Sequence, residues 1–162
     1  MKTDNLSICL WFDSQAEEAV KFYVSVFNDA SIGNITRYGK EGFEFHKKPV
    51  GTAMTVEFKI NGMQFLALNG GPQFKFNESI SIVVNCDTQE EIDSYWEKLT
   101  YKGEEGPCGW LKDMFGVSWQ IVPSVLQKYL VGDAVRAQRV TAAFLKMQKF
   151  NIAELEKAYN GE

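Results

Sequence analysis

The chain has 162 residues, of which 45% are hydrophobic and 14% aromatic, a composition typical of one globular domain with a substantial core. Its 21 acidic and 17 basic residues give a net charge of −4, which argues against nucleic-acid binding because such proteins usually carry a basic stripe. We find no apolar stretch near the ~20 residues of a membrane span, and no secretory signal. Three scattered cysteines without a CxxC pair favour a reduced, cytoplasmic setting.

The first half of the sequence predicts one strand, one helix and three further strands. The helix is expected to be capped by Asp13 or Ser14 and to run to about Phe27. The Asn61-Gly62 pair is typical of a tight hairpin turn. The polar segment around the single histidine, His46, is interpreted as a loop. The strands are expected at residues 8–12, 31–38, 52–60 and 63–68.

Part of this pattern occurs twice. Residues 13–23 read DSQAEEAVKFY and residues 87–96 read DTQEEIDSYW, so each segment begins with Asp, a hydroxyl residue and Gln and continues with a Glu pair. Each segment also follows an apolar run that opens Ser-Ile. The two aspartates lie 74 residues apart, which is too long for a solenoid unit and about half of the chain. The spacing therefore indicates a duplicated module.

The second half predicts a shorter copy followed by a helical tail. The turn-forming segment 69–72 separates the copies. From residue 124 onward the pattern is helical, and Asp133 and Asn151 are the expected caps of two helices. This tail has no counterpart in the first copy. In the second copy, strands are expected at 79–85, 109–111 and 117–122, and a helix at 87–100.

Two βαβββ modules in tandem, with these motifs, resemble the vicinal oxygen chelate (glyoxalase–bleomycin resistance) superfamily. The closer resemblance is to its PhnB-like branch, often labelled 3-demethylubiquinone-9 3-methyltransferase. The motifs that carry it are LWFD at 10–13, AEEA at 16–19, FY at 22–23, ALNGGP at 67–72, FNE at 76–78, YW at 95–96, CGWLKD at 108–113 and FGVSWQIVP at 115–123.

The resemblance covers nearly the whole chain and implies an α+β fold. Two tandem βαβββ modules are expected to form a curled mixed sheet around a cavity, followed by C-terminal helices. The chain is then a single glyoxalase-like domain over 1–162. Its parts are module one at about 1–72, module two at about 73–123 and the tail at about 124–162.

Metal-using members of the superfamily are expected to place ligands on the first and last strands of each module. The matching positions in this sequence are Leu6 or Ile8, Ala67, Ser79 or Ser81, and Gln120. Only Gln120 has some affinity for a metal, whereas Zn²⁺ needs about four N, S or O ligands. The resemblance therefore implies a metal-free member, without a cofactor, that keeps a cavity.

Both modules are expected to contribute to this ligand cavity. Gln120 alternates with Trp119 and Ile121, which should pack under the helices. The competing interpretations are that Ser79 and Ser81 simply face solvent and that the aromatic residues are core. His46 and Cys108 are further candidates for loops beside the cavity. The alternative interpretation is that His46 is a solvated loop residue and Cys108 a small residue in a tight turn. The predicted lining residues are Ile8, Leu10, Phe65, Ala67, Ser79, Ser81, Trp110 and Gln120.

Several functions follow from this resemblance, and whether the protein is an enzyme stays open. We expect a metal-free PhnB-like protein that binds an unknown small, partly apolar molecule. It is expected to be a cytoplasmic homodimer without nucleic-acid or membrane partners. The alternatives are a metal-dependent lyase, isomerase or dioxygenase, a methyltransferase, and a scaffold whose tail helices serve dimerisation. The sequence has no glycine-rich loop after its first strand, as a nucleotide-type cofactor site would need.

Overall fold

A computed structural model describes residues 6–162 and divides the chain into two compact units between Phe76 and Asn77. The sequence predicts the boundary between the modules at about 72, and the helical tail falls in the second unit. Each unit contains a four-stranded mixed sheet with strand, helix and three further strands in chain order. The predicted α+β fold of two βαβββ modules with C-terminal helices is confirmed. Among the described residues, no helix is long and apolar enough to cross a bilayer.

The first unit contains a sheet of order β1-β4-β3-β2, in which β1 and β4 are parallel and the other neighbours antiparallel. The segment predicted to be a polar loop contains one helical turn, α2. The elements are β1 Ile8–Phe12, α1 Ala16–Val26, β2 Ala30–Arg37, α2 Phe43–His46, β3 Ala53–Ile60 and β4 Met63–Asn69.

The hairpin and the core of the first unit follow from its sequence pattern. Asn61 and Gly62 have φ values of 47° and 79°, as the predicted two-residue turn requires. One side of the sheet packs against α1. The Tyr23 ring of α1 stacks on Phe58 at a centroid distance of 5.9 Å, and Phe58 stacks on Phe65 at 4.9 Å. This aromatic stack joins the helix to the two central strands.

The predicted cap of α1 is wrong. Neither Asp13 nor Ser14 caps the helix, whose N-cap residue is Gln15 without a side-chain cap. Instead, Oδ1 of Asn69 accepts a hydrogen bond from the Ala16 N–H at 2.8 Å. The amide of Asn69 also donates to the Ala53 carbonyl at 2.9 Å, and the residue is only 2% exposed. A buried amide from β4 therefore supplies the acceptor that a local cap would give.

The second unit contains a sheet of order β5-β8-β7-β6, with β5 and β8 parallel. Its helix α3 begins with a capping box between Thr88 and Glu91. The predicted caps of the tail helices are confirmed, because Asp133 and Asn151 accept backbone hydrogen bonds at the starts of α5 and α6. The elements are β5 Ile82–Cys86, α3 Gln89–Thr100, β6 Glu104–Glu105, β7 Trp110–Lys112, β8 Ser118–Pro123, α4 Val125–Leu130, α5 Ala134–Phe144 and α6 Ile152–Asn160.

Candidate functional site

Three residues assigned to the ligand cavity lie instead in the core of the first unit. Leu10 pairs with Ala67 across β1 and β4, and both are buried. Phe65 lies on the same side of β4 as Ala67, and its ring stacks on Phe58, which stacks on Tyr23 of α1. This side of the sheet therefore faces the helix. The prediction that Leu10, Phe65 and Ala67 line a cavity is wrong, because the sequence-based assignment of strand faces is off by one residue.

The other side of the first sheet carries the intervening residues of the same strands. They are Cys9, Trp11, Leu66 and Leu68, all less deeply buried than the core residues. The indole N–H of Trp11 donates to the Gly71 carbonyl at 2.8 Å, so this side chain is fixed by the turn that follows β4. Ile8, at the start of β1, is 37% exposed although it lies on the helix side of the strand. Because successive side chains of a strand point to opposite faces, Ile8 lies on the face of β1 opposite to Cys9 and Trp11.

The contacts of His46 are local. Its Nδ1 accepts a hydrogen bond from the Lys48 backbone N–H at 2.9 Å, and its Nε2 lies 3.2 Å from the Glu41 carbonyl oxygen. The ring also packs on Tyr38, with centroids 4.4 Å apart. These contacts suit a neutral ring with the proton on Nε2 and occupy both nitrogens. The geometry therefore gives no support to a role of His46 as a general base.

The structure brings Ser81, Gln120 and Trp110 together on one face of the second sheet. The side-chain amide of Gln120 donates to Oγ of Ser81 at 2.8 Å. Trp110 pairs with Gln120 in the β7–β8 ladder, so both side chains point to the same face. Trp119 and Ile121, the neighbours of Gln120 along β8, are fully buried on the opposite face, as expected. We call the face that carries Trp110, Gln120 and Ser81 the open face of the second sheet.

Ser79 does not belong to this row of side chains. It precedes β5 and is exposed, so the predicted strand begins three residues too early. Its backbone N–H donates to Oδ1 of Asn77 at 3.0 Å, and its hydroxyl contacts the same oxygen. These contacts are those of a turn stabilised by an asparagine side chain. Ser79 is therefore part of the turn that leads into β5.

A pocket of about 510 Å³ lies at the β6–β7 edge of the second sheet and shares Trp110 with the row just described. Trp110, Pro107 and Leu111 supply apolar surface, whereas glutamates and Lys112 supply charge. The pocket therefore combines an aromatic wall with a charged rim. Its lining residues are Glu78, Glu104, Glu105, Gly106, Pro107, Trp110, Leu111 and Lys112.

The charges of the pocket are held in fixed positions. Lys112 forms an ion pair with Glu78, and this hydrogen bond lowers the pKa of Glu78 and raises the pKa of Lys112. Glu104 pairs with Lys112 in the β6–β7 ladder. The carboxylate of Glu105 accepts a hydrogen bond from the Trp96 indole N–H at 3.0 Å. Glu78, Lys112 and Glu105 are thus each held by a side-chain partner in the same unit.

Sequence reasoning did not select Glu78, Glu104 or Lys112 as site residues. A signal for Lys112 was nevertheless present, because it lies two positions after Trp110 in a predicted strand. The two-residue period of a strand places both side chains on one face. No comparable local signal identifies Glu78, which reaches the pocket from the turn before β5.

Two polar residues are buried beside the site. The carboxylate of Asp113 accepts hydrogen bonds from the backbone N–H groups of Phe115 and Val117 and from the Trp119 indole, at 2.9, 3.0 and 2.9 Å. It therefore fixes the turn between β7 and β8. Ser118 lies opposite Lys112 in the ladder, and its buried hydroxyl has no hydrogen-bond partner among the described residues.

Cys108 lies in the loop before β7 and does not line the pocket. The residue is partly buried, and its thiol lies 3.6 Å from the Phe144 carbonyl oxygen. Its φ of 55° is in the left-handed region, as expected for a residue in a tight turn. Cys108 therefore lies where the loop before β7 contacts the helical tail.

Comparison with known proteins matches residues 4–122 to the family described as 3-demethylubiquinone-9 3-methyltransferase. The chain belongs to this family. A Bacillus cereus PhnB protein that carries the same methyltransferase name is 32% identical, over 75% of this chain and 100% of its own, with a TM-score of 0.65. The search of curated proteins found no match to this chain.

More distant structures show a similar fold. Protein PA1353 of Pseudomonas aeruginosa is 18% identical over 74% of this chain and 98% of its own, with a TM-score of 0.58. The fosfomycin resistance protein FosX of Mesorhizobium loti is 14% identical over 82% and 100%, with a TM-score of 0.56. The resemblance to the PhnB-like, methyltransferase-labelled family is confirmed, and the FosX structure shows a similar fold.

Two of the positions expected to bear metal ligands have side chains without donor atoms. These residues, Ile8 and Ala67, lie on the helix side of the first sheet, so they do not report on its opposite side. Ser81 and Gln120 are hydrogen-bonded to each other. A zinc-type site needs about four ligands, mostly thiolate, carboxylate or imidazole. Within residues 6–162, no group of three or more His, Cys, Asp or Glu side chains could hold a metal ion.

Proposed function

We propose that this PhnB-like protein binds a small molecule without a metal ion, in the pocket beside Trp110. The pocket itself is the observation that carries the proposal. Its volume of about 510 Å³ is in the range of small-molecule sites, which are mostly apolar with a few placed polar groups. Trp110 and Pro107 supply the apolar surface, and Glu104 and Lys112 supply the charged rim. This combination suits a small, partly apolar molecule with at least one polar group.

The neighbouring row on the open face supports the same proposal. Gln120 and Ser81 place an amide and a hydroxyl on the face that carries Trp110. Groups of this kind orient a ligand through hydrogen bonds and need no metal ion. The proposed site therefore extends from the pocket towards Gln120.

The geometry favours binding over methyl transfer. A nucleotide-type cofactor site is formed by a glycine-rich loop between a parallel strand and the helix that follows it. Here β1 leads into α1 through Asp13, Ser14 and Gln15, and α3 is preceded by a capping box. Neither connection is glycine-rich. The pocket therefore supports ligand binding more strongly than the family name supports methyl transfer.

A thermal-shift screen of polar and partly apolar metabolites tests the proposal. A compound at 100 times its Kd stabilises the folded state by about 2.7 kcal/mol, which raises Tm by about 5–10 °C in a domain of this size. We expect Trp110→Ala to abolish the shift given by a compound that binds in the pocket. Tyr101→Ala, which removes an exposed aromatic residue outside the pocket lining, is the matched control and should keep the shift.

Two outcomes would contradict the proposal. If Trp110→Ala leaves every compound-induced shift unchanged, the ligand does not bind in this pocket. If treatment with EDTA abolishes the shifts and Mn²⁺ or Zn²⁺ restores them, the protein is metal-dependent. The expected homodimer and cytoplasmic location stay predictions, and light scattering after gel filtration tests the first of them.

A further inference from the structure

The loop that forms one wall of the pocket is attached to the helical tail. The backbone N–H of Cys108 donates to the Met147 carbonyl at 2.8 Å, and the N–H of Gly109 donates to the Gln148 carbonyl at 2.7 Å. Residues 107–110 therefore pair, through two consecutive backbone hydrogen bonds, with the segment that connects α5 to α6. We call residues 147–150 the tail connector.

The backbone conformation of this loop is consistent with its attachment to the tail connector. Cys108 and Gly109 have φ values of 55° and 80°, so two consecutive residues are left-handed. A Cβ atom at Gly109 would lie 2.5 Å from the Phe150 ring and 2.6 Å from the Ile121 carbonyl oxygen. The loop backbone is thus enclosed between β8 and the tail connector. Release of the connector would remove both hydrogen-bond acceptors and one packing surface of the loop.

The tail connector is held in turn by the first residue of α3. The side-chain amide of Gln89 donates to the Phe150 carbonyl at 3.1 Å, and its oxygen accepts from the Ile152 N–H at 2.9 Å. One side chain therefore satisfies the backbone on both sides of the α6 cap. An ion pair between Lys149 and Asp93 adds a second contact between the connector and α3.

We propose that Gln89 is a positioning residue for the pocket and acts through the tail connector on the loop that carries Pro107 and Trp110. The tail then helps to position the pocket loop, although it does not line the pocket. The consequence for ligand affinity rests on the function proposed above. The control of the loop by Gln89 does not rest on that function and can be measured without a ligand.

The cysteines provide the measurement. Cys108 lies in the loop, whereas Cys86 lies at the end of β5 in the core of the same unit. In a Cys9→Ser background, 5,5′-dithiobis(2-nitrobenzoic acid) reports the labelling rates of these two thiols. Burial, together with Glu91 and Asp87, raises the pKa of Cys86 to about 12, so this thiol reacts only when the unit opens.

Gln89→Leu keeps most of the side-chain volume and removes the hydrogen bonds to the Phe150 carbonyl and the Ile152 N–H, together with the one to Asp93. We expect it to raise the labelling rate of Cys108 at least about tenfold and to leave that of Cys86 unchanged, because local opening costs less than global unfolding. Gln138→Leu, at an exposed position of α5, is the matched control and should change neither rate. Gln89→Glu keeps the acceptor for the Ile152 N–H but places a carboxylate oxygen against the Phe150 carbonyl and the Asp93 carboxylate, so it should also raise the labelling rate of Cys108.

The neutral fluorescent probe N-phenyl-1-naphthylamine tests the effect on the pocket. We expect Gln89→Leu to weaken probe binding at least about fivefold, with Trp110→Ala as the reference for a lost site. If the probe does not bind, or binds equally to Trp110→Ala, the proposed function fails while the labelling result still decides the role of Gln89. An unchanged Cys108 rate, or equal increases for Cys108 and Cys86, would overturn the role of Gln89. If Gln89→Leu does not fold, the same comparison is made with Gln89→Glu and Lys149→Ala.

Discussion

The buried amide of Asn69 joins the start of α1 to β3 and β4. Replacement by alanine removes the acceptor for the Ala16 N–H and the donor to the Ala53 carbonyl. The first loss equals the removal of a helix N-cap, about 1 kcal/mol. The second leaves a carbonyl without its partner inside the unit, which costs about 1–3 kcal/mol. We therefore expect Asn69→Ala to destabilise the protein by about 2–4 kcal/mol.

Urea unfolding followed by circular dichroism and tryptophan fluorescence measures this effect. Both signals are needed to test whether the two units unfold together. Hydrogen exchange locates the destabilisation, because the amides in the first turn of α1 should lose protection from exchange before those of β3 do. Asn28→Ala, at an exposed position of the same unit, is the control and should change the free energy of unfolding by less than about 0.5 kcal/mol.

A loss of less than about 1 kcal/mol on Asn69→Ala would refute this reasoning. It would mean that water or a rearranged backbone satisfies both groups at little cost. Unchanged protection of the first turn of α1 would refute the long-range cap even if the total stability fell.

Three further predictions concern the second unit. Thr88→Ala removes one half of the capping box and should lower the free energy of unfolding by about 1 kcal/mol in urea titrations, whereas Thr88→Ser should restore it. Asp113→Ala should cost about 3 kcal/mol or more in the same assay, because two backbone N–H groups and the Trp119 indole lose their acceptor; a loss below about 1 kcal/mol would be inconsistent with this. The hydrogen bond from Lys149 lowers the pKa of Asp93, so the stability from this pair is present above the unfolded-state pKa and is lost as the pH falls through the folded-state pKa. The Tm difference between wild type and Asp93→Ala should therefore be larger near neutral pH than in acid, and a difference that does not change with pH would exclude an ionic contribution.

The parts of the fold that depend on local signals could be predicted from the sequence. The two-residue turn at Asn61-Gly62 and the caps at Asp133 and Asn151 are formed by neighbouring residues, and the structure has them where the pattern indicates. The cap of α1 could not be predicted in this way. Its acceptor comes from Asn69, 53 residues further along the chain, so that no local pattern contains it.

The same distinction explains the results at the site. In β8, apolar Trp119 and Ile121 alternate with polar Gln120, so the alternation identifies the two faces correctly. In β4, Phe65 and Ala67 alternate with Leu66 and Leu68, and both faces are apolar. The pattern there gives no information on which face meets the helix. A choice between the faces needs the contact with α1, which only the folded unit provides.

The different start signals of the two helices have a consequence for the order of folding. Thr88 and Glu91 lie three residues apart, so the first turn of α3 can form its own cap with almost no loss of chain entropy. The first turn of α1 obtains its acceptor only after β4 has been placed beside β1. Although both units have the same order of strands and first helix, we expect α3 to form before its sheet and α1 to form with its sheet. Duplication would then have preserved the architecture while changing the folding route.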